Sequence, residues 1–143
     1  MTTKAQNITV SSKTQATKPR YSDFTNNLDV HPDTKDIFRF TDINAVKKSM
    51  RNLVFTDKYE RLFRPNIGCG IRALLFENLQ EDTLISIKDT IKEVIENYEP
   101  RVVILEIQAI GTPDNNSVVV NIAFQIVNVS ETQFMQITVD RAR

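Results

Sequence analysis

The 143-residue sequence has no tryptophan, one cysteine and one histidine. The single cysteine, Cys69, excludes an intramolecular disulfide and a zinc site built mainly on thiolates. Any metal site or histidine-driven reaction would have to rest on His31 and carboxylates alone, so we predict neither a metal ion nor a cofactor. Because His31 lies beside a proline in a turn-forming stretch, we interpret it as a surface histidine and not as a ligand or base.

The sequence also lacks an excess of charge, since 18 Lys and Arg residues balance 18 Asp and Glu residues. Nucleic-acid-binding domains of this size are usually clearly basic, so we expect no nucleic-acid partner. No stretch approaches the roughly 20 consecutive apolar residues of a membrane span, and the N-terminus lacks the apolar centre of a signal peptide. We therefore expect a soluble protein, made in a cytosol, with no membrane partner.

The length of the chain is typical of a single domain. Residues 1–20 contain four basic residues, no acid and mostly polar side chains. Such a segment buries too little apolar surface to offset the entropy lost on ordering. We predict a flexible basic arm at residues 1–20, whose role the sequence leaves open, and one domain at residues 21–143.

The first half of this domain shows turn and helix signals. Residues 21–40 are predicted to form two short extended pieces around a turn. A helix with Thr41 as its N-cap follows, because apolar residues recur there at helical spacing. Its apolar stripe consists of Ile43, Val46, Met50 and Leu53. Its opposite face is basic, which indicates either a docking face or a solvated face.

A longer helix is predicted over residues 80–98, with Asn78 or Asp82 as N-cap and Pro100 as its end. Alternating apolar and polar residues then predict three strands, with turn-rich connections that indicate an antiparallel meander. The predicted strands are residues 102–110, 118–127 and 133–139. In the first strand we expect one apolar face formed by Val103, Leu105, Ile107 and Ala109. The predicted fold is α+β: an N-terminal extended hairpin and helices packed on a C-terminal three-stranded antiparallel sheet.

The connection at residues 56–70 holds two of the three glycines of the chain, Gly68 and Gly70. Their closeness predicts backbone with positive φ or a close approach to another element. The segment is not a dinucleotide-binding motif, because the third glycine and the preceding buried strand are both missing. We interpret Cys69, between the two glycines, as a small buried residue.

An enzymatic function would have to use carboxylates, and the candidates include Glu60, Glu77, Glu99 and Glu106. With 18 acidic residues, some pair meets the spacing that a glycosidase needs by chance. The sequence contains no nucleophile elbow, phosphate-binding loop, zinc-protease motif or kinase motif. We predict a protein that is not an enzyme, and a carboxylate-based, lysozyme-like peptidoglycan hydrolase remains an alternative.

A more specific pattern joins the long helix to the first strand. In extended backbone, residues two apart point to the same side, so Glu99 and Arg101 project together on either side of Pro100. A guanidinium held in this way suits bidentate capture of a partner's carboxylate or carbonyl groups. The alternative is an ion pair within the chain. Glu99, Pro100 and Arg101 are therefore candidate partner-binding residues.

The last predicted strand is a second candidate for partner binding. A three-stranded meander has two edges with unpaired backbone groups, and native proteins usually protect such edges with proline, lysine or a covering segment. The last strand contains neither residue and has no internal charge. We predict that an extended segment of another chain adds to it, unless it is the central strand or is covered by the basic arm. Its residues are Gln133, Phe134, Met135, Gln136, Ile137, Thr138 and Val139.

The chain resembles the baseplate wedge or sheath-initiator proteins of contractile phage tails, a family shared with the baseplates of type VI secretion systems. The resemblance covers residues 21–139. One departure is Tyr59, where the family often has glycine. The motifs that carry the resemblance are Tyr21-Ser22-Asp23-Phe24, His31-Pro32, Lys48-Ser49-Met50-Arg51-Asn52-Leu53, Glu60-Arg61-Leu62-Phe63-Arg64-Pro65-Asn66-Ile67-Gly68-Cys69, Leu75-Phe76-Glu77-Asn78 and Asn97-Tyr98-Glu99-Pro100-Arg101.

The resemblance implies a structural protein of a virion tail baseplate that is assembled in the host cytoplasm. It implies one copy per wedge in a six-fold baseplate, docking on other wedge proteins through Glu99, Pro100 and Arg101, and initiation of the sheath. The implied partners are the other wedge proteins, the sheath protein and the tail tube or tube-initiator proteins. A small cytoplasmic adaptor-binding regulator of similar fold is a further alternative.

Overall fold

The computed structural model describes residues 20–77, 80–112, 117–127, 129 and 131–140. The predicted arm at residues 1–20 lies outside this range except for Arg20, as does the predicted N-cap Asn78. The elements in chain order are β1 (Ser22–Phe24), β2 (Arg39–Thr41), α1 (Asp42–Phe55), α2 (Ile71–Leu74), α3 (Glu81–Tyr98), β3 (Val102–Thr112), β4 (Ser117–Ile126) and β5 (Thr132–Asp140).

Strands β1 and β2 form the predicted extended hairpin, paired antiparallel. The turn between them is closed by an isolated bridge between Val30 and Ile37. His31 lies in this turn, where its Nδ1 accepts a hydrogen bond from the backbone N–H of Asp33 at 3.3 Å. Its ring stacks on Phe38 with the ring centroids 5.8 Å apart. The interpretation of His31 as a turn residue is confirmed.

Helix α1 follows the hairpin directly, and the side chains of Val46, Met50 and Leu53 are buried as the periodicity predicts. Thr41 occupies the N-cap position, but its side chain makes no capping hydrogen bond. The carboxylate of Asp42 instead accepts hydrogen bonds from the backbone N–H groups of Arg20 and Tyr21, at 2.9 and 3.4 Å. These bonds tie the entry of the domain to the positive end of α1.

Helix α3 is the longest helix of the described chain and begins at Glu81, with Gln80 as its N-cap. The prediction of Asp82 as N-cap is wrong, because this residue lies in the first turn of the helix. There its negative charge still interacts favourably with the helix dipole. The buried face of α3 packs on β3 and on α1, and its buried residues are Thr83, Ile87, Ile91, Val94 and Ile95.

The three C-terminal strands form an antiparallel sheet in the order β3-β4-β5, as predicted. Strand β4 is central, and its alternating side chains form the middle of the core under α1 and α3. The fully buried residues of this strand include Val118, Val120, Ile122, Phe124 and Ile126. The α+β architecture predicted from the sequence is therefore confirmed.

The predicted apolar face of β3 is correct for Ile107 and Ala109 but wrong for Val103 and Leu105, because a β-bulge at Leu105 shifts the register between Ile104 and Glu106. One extra residue in a strand reverses the in-and-out alternation beyond it. Val103 and Leu105 are therefore 52% and 54% exposed. Ile107 and Ala109, beyond the bulge, pack against the core.

The connection between α1 and α2 has the predicted glycine geometry, with φ of +129° at Gly68 and +62° at Gly70. A Cβ atom on Gly68 would lie 2.5 Å from the carbonyl oxygen of Thr56, so no larger residue fits there without a shift. Cys69 is buried, and burial raises the pKa of its thiol to about 12. The backbone of this segment therefore packs closely against residues 56–57, and the Cys69 thiol is not activated as a nucleophile.

Candidate functional site

The Glu99-Pro100-Arg101 segment forms a fixed corner between α3 and β3. Helix α3 ends at Tyr98, and Glu99 has the non-helical angles φ −127° and ψ 73°, since a following proline disfavours the helical region. The backbone N–H of Glu99 donates to the carbonyl of Ile95 at 2.8 Å, and the N–H of Val102 donates to the carbonyl of Glu99 at 3.1 Å. The two predicted site residues therefore project from a hydrogen-bonded turn.

The side chains of Glu99 and Arg101 form a bidentate ion pair. Arg101 Nε donates to Oε1 of Glu99 at 2.5 Å, and Arg101 Nη2 donates to Oε2 at 2.6 Å. The hydroxyl of Ser49, on α1, is a further hydrogen-bond partner of the carboxylate. The intrachain ion pair considered from the sequence is thus formed, and it links the corner to α1.

The electrostatics of the pair follow from its burial. The Glu99 side chain is 3% exposed, and burial by itself would raise the pKa of this carboxyl group. The hydrogen bonds from Arg101 and Ser49, together with the charge of Arg101, outweigh burial and hold the pKa of Glu99 below its usual value. The hydrogen bonds to Glu99 raise the pKa of Arg101 in turn. Both groups are therefore charged at neutral pH.

Arg101 keeps an outward-facing edge in this arrangement. Its side chain is 34% exposed, and its guanidinium lies 5.1 Å from the ring centroid of Tyr21. Two of its nitrogens contact Glu99, and Nη1 donates to no other group of the described residues. The corner can thus present a planar, oriented donor pair to a carboxylate or carbonyl of another chain.

The predicted C-terminal candidates lie on an edge strand. Strand β5 pairs with β4 over its whole length, from Thr132 to Asp140, and no other strand of the described chain pairs with it. Ile137 and Val139 are buried, whereas Phe134 is 72% exposed. The alternative of a central position for this strand is excluded by the strand order, while the alternative of cover by residues 1–19 lies outside the described residues.

A groove of about 530 Å³ borders the free edge of β5. Met135 and Gln136 form one wall, and the hairpin and the basic face of α1 form the other walls. The hydroxyl of Thr25, which lines the groove, is buried without a hydrogen-bond partner. The basic residues of α1 in this groove are Lys47, Lys48 and Arg51. The sequence did not decide whether the basic face of α1 is a docking face or a solvated face. In the structure this face lines a groove.

Among the described residues, no carboxyl group has the raised pKa of a general acid. The two carboxyl groups with shifted pKa values, Asp36 and Glu99, are both shifted downward, whereas a general acid needs a raised pKa. Glu60 accepts a hydrogen bond from the backbone N–H of Asp57, and Glu106 accepts one from the side-chain amide of Gln108.

Within the described ranges, no group of three His, Cys, Asp or Glu residues is placed to hold a metal ion, and no helix is long and apolar enough to cross a membrane.

One exposed apolar feature was not among the predicted site residues. Tyr59, Leu62 and Phe63, in the connection after α1, are 79%, 85% and 100% exposed. A sequence with apolar residues near a proline and two glycines is compatible with a buried loop and with a protruding one, so it does not predict this exposure. The one signal was the departure from glycine at position 59, where Tyr59 has φ of +68° and so adopts the conformation that a glycine would favour.

Comparison with known proteins assigns the family. The family model described as baseplate wedge protein gp25 matches residues 41–130, a range that includes Glu99 and Arg101 and ends before β5. The baseplate wedge protein gp25 of Enterobacteria phage T4 is 31% identical over 94 residues, which cover 66% of this chain and 71% of that protein.

Two solved structures share the fold. A protein of Geobacter sulfurreducens described as a putative tail lysozyme has a TM-score of 0.60 at 24% identity, and the match covers 68% of this chain and 89% of that chain. A chain of the anti-feeding prophage baseplate has a TM-score of 0.59 at 21% identity, covering 86% and 87% respectively. The family match and the T4 relative together show that the chain belongs to the baseplate wedge protein gp25 family, the structural wedge proteins of contractile tail baseplates.

Proposed function

We propose that the chain docks on other wedge proteins through the Glu99–Arg101 corner and initiates the sheath at the free edge of β5. In this proposal one copy occupies each wedge of a six-fold baseplate, next to the tail tube or tube-initiator proteins. The single observation that supports sheath initiation best is the position of β5 at the edge of the sheet, where no other described strand pairs with it.

The corner suits the docking role because its donor is oriented before binding. Arg101 is fixed by Glu99 and lies against Tyr21, so little side-chain entropy is lost when a partner engages Nη1. The charge of Glu99 is buried and already compensated by Arg101. A partner therefore meets the cation edge of the pair, which favours a carboxylate or a backbone carbonyl on its side.

The edge of β5 suits the sheath role because its backbone groups are paired on one side only. An extended segment of the sheath protein would add to β5 by main-chain hydrogen bonds, and alternate side chains would set its register. The strand contains no proline and no lysine, the residues that usually block such addition. A sheet already formed in the baseplate thereby provides the template for the first sheath ring.

Two glutamines of β5 give a matched test of this role. In an extended strand, N–H groups of residues an odd number apart point to opposite sides, and β5 pairs with β4 without a register shift. Proline at one of the two positions, Gln133 or Gln136, therefore removes a hydrogen bond to β4. Proline at the other position removes an N–H group on the free edge. Gln133→Ala and Gln136→Ala control for loss of the side chains.

We expect the proline variant that lacks an N–H group on the free edge to be the more stable of the two, because it keeps its hydrogen bonds to β4. Baseplates containing it should be complete but should fail to start a sheath, as seen by electron microscopy, while the alanine controls start sheaths normally. Normal sheath initiation by that proline variant would contradict strand addition at this edge.

We also propose that the chain has no catalytic activity, against the alternative suggested by a neighbour described as a putative tail lysozyme. This proposal is supported by the hydrogen bonds that the carboxylates of Glu60, Glu99 and Glu106 accept from groups of the same chain. A peptidoglycan hydrolysis assay tests it, with the four single Glu→Gln variants at positions 60, 77, 99 and 106. Robust wild-type activity that one folded variant abolishes would establish an enzyme.

A further inference from the structure

The segment at residues 57–66, called here the 57–66 loop, places three large apolar side chains in solvent. Phe63 is 100% exposed, Leu62 is 85% exposed and Tyr59 is 79% exposed. An aromatic or leucine side chain gains free energy by burial, and a clustered exposed set of this kind marks protein interfaces. Substitution of a fully exposed side chain also removes no packing within the domain.

Hydrogen bonds and an ion pair brace the backbone that carries these side chains. The backbone N–H of Tyr59 donates to the carbonyl of Pro65 at 2.9 Å, and the N–H of Asp57 donates to Oε2 of Glu60 at 2.8 Å. The carboxylate of Asp57 also lies 3.5 Å from Nη1 of Arg72. The exposed residues are therefore presented by a braced turn, which reduces the ordering entropy that binding would otherwise cost.

The backbone of the loop adopts a conformation that is unfavourable for its aromatic residues. Tyr59 and Phe63 both have φ of +68°, in the left-handed region where residues with a Cβ are disfavoured. Glycine would fit both positions without this penalty. Two large aromatic groups at such positions thus carry a cost in the free chain that burial in a partner can offset.

The charges of the loop indicate the character of its partner. Its two acids, Asp57 and Glu60, are engaged inside the loop or with Arg72. Arg61 and Arg64 are exposed and form no ion pair with another described residue. Aromatic and arginine side chains together are the composition of interface hot spots. A surface of this composition is complementary to an apolar patch bordered by carboxylates.

The loop lies at the same end of the molecule as the Glu99–Arg101 corner. The hydroxyl of Tyr98, the last residue of α3, donates to the backbone carbonyl of Asn66 at 3.1 Å. Glu99 is the next residue along the chain. One partner can therefore cover both features.

We propose that the 57–66 loop inserts Phe63, flanked by Tyr59 and Leu62, into an apolar, acid-rimmed pocket on the wedge protein that also receives Arg101. The pocket extends the docking surface proposed above, so the inference rests on that proposal for the identity of the partner. Arg61 and Arg64 pair with the carboxylates at the rim of the pocket.

The test is a binding titration with the purified wedge subcomplex of the same particle, assembled without this chain. Phe63→Gly and Tyr59→Gly remove the aromatic groups while keeping the positive φ, so the loop backbone is retained. We expect Phe63→Gly to weaken binding about 30-fold or more and Tyr59→Gly to weaken it less. Leu105→Ala, which removes a half-exposed apolar side chain from β3, is the control and should bind within about twofold of the wild type.

Two further arms separate this inference from the proposed role of Arg101. If Arg101→Lys binds normally while Phe63→Gly does not, the pocket is supported and the corner is not the docking contact; the reverse result overturns the pocket. A photo-crosslinking residue in place of Phe63, in assembled baseplates, should label an apolar segment with nearby acids on a wedge protein. Labelling of a second copy of this chain only, or normal binding by Phe63→Gly, overturns the inference.

Discussion

Arg101 donates two hydrogen bonds to the buried carboxylate of Glu99, at 2.5 Å from Nε and 2.6 Å from Nη2. The two side chains differ in their environment, since Glu99 is 3% exposed and Arg101 is 34% exposed. The pair therefore has a structural inner half, which joins α3, β3 and α1, and an outer half that another chain can reach.

Removal of Arg101 alone is predicted to destabilise the domain, because it leaves a buried carboxylate without its partner. We expect Arg101→Ala to lower the free energy of unfolding by about 1–3 kcal/mol at neutral pH. The double variant Glu99→Gln/Arg101→Ala should recover most of this loss, because it leaves no buried charge. Urea denaturation measures both, and a double variant no more stable than the single one would contradict the account of this pair.

The stability of the domain is predicted to fall on acidification through Glu99. The pKa of Glu99 is lowered from its usual 4.5 in the folded protein. Its stabilising contribution is therefore complete above the unfolded-state pKa and is lost as the pH falls through the lower folded-state pKa. Urea denaturation from pH 7 to pH 3 should show a smaller decline for Glu99→Gln than for the wild type.

Asp36 provides the control for this pH dependence. Hydrogen bonds from Arg39 and from the backbone of Ile37 also lower the pKa of Asp36, but this pair lies on the surface, where salt screens it. We expect Asp36→Asn to retain the wild-type decline at high salt. An equal decline in Glu99→Gln and the wild type would show that Glu99 is not the group responsible.

The two glycines after α1 are predicted to differ in their tolerance of alanine. A Cβ on Gly68 would lie 2.5 Å from Thr56 O and 2.9 Å from Asp57 O, both backbone atoms, whereas a Cβ on Gly70 would meet the flexible side chain of Lys58 at 3.4 Å. Gly70→Ala should cost about 1–2 kcal/mol for its positive φ, and Gly68→Ala should cost clearly more. Equal unfolding free energies for the two variants would contradict the close approach.

The bulge in β3 predicts opposite outcomes for two apolar residues that simple alternation would place together. Leu105 is 54% exposed, so Leu105→Ala should change the free energy of unfolding by less than about 0.5 kcal/mol. Ile107 packs against the core, and Ile107→Ala should cost about 2 kcal/mol or more. Thermal unfolding of the two variants distinguishes the bulged register from an unbroken one.

Regular periodicity and strong chain breakers account for what the sequence predicts correctly. The buried stripe of α1, the end of α3 before Pro100 and the alternation of β4 each follow from a local rule that the packed structure obeys. The ion pair of Glu99 and Arg101 also follows from spacing, although the burial of Glu99 against Ser49 requires the tertiary fold.

The features that the sequence does not predict are those in which one residue departs from a local rule. The bulge at Leu105 inserts a single residue, and alternation counted along one strand has no means of detecting it. The exposed apolar residues of the 57–66 loop contradict the usual burial of such side chains. The positive φ of Tyr59 and Phe63 is likewise contrary to the preference of residues with a Cβ, so it does not follow from the two residue types.

In the proposed assembly, this wedge protein receives a sheath strand at β5 while Arg101 contacts another wedge protein. An electron cryo-microscopy structure of the assembled baseplate with its first sheath ring tests this claim most directly. The proposed mechanism predicts main-chain hydrogen bonds between the free edge of β5 and an extended sheath segment, with Arg101 against a carboxylate or carbonyl of a neighbouring wedge subunit. A β5 edge that is bare, or covered by residues 1–19 of its own chain, would contradict it.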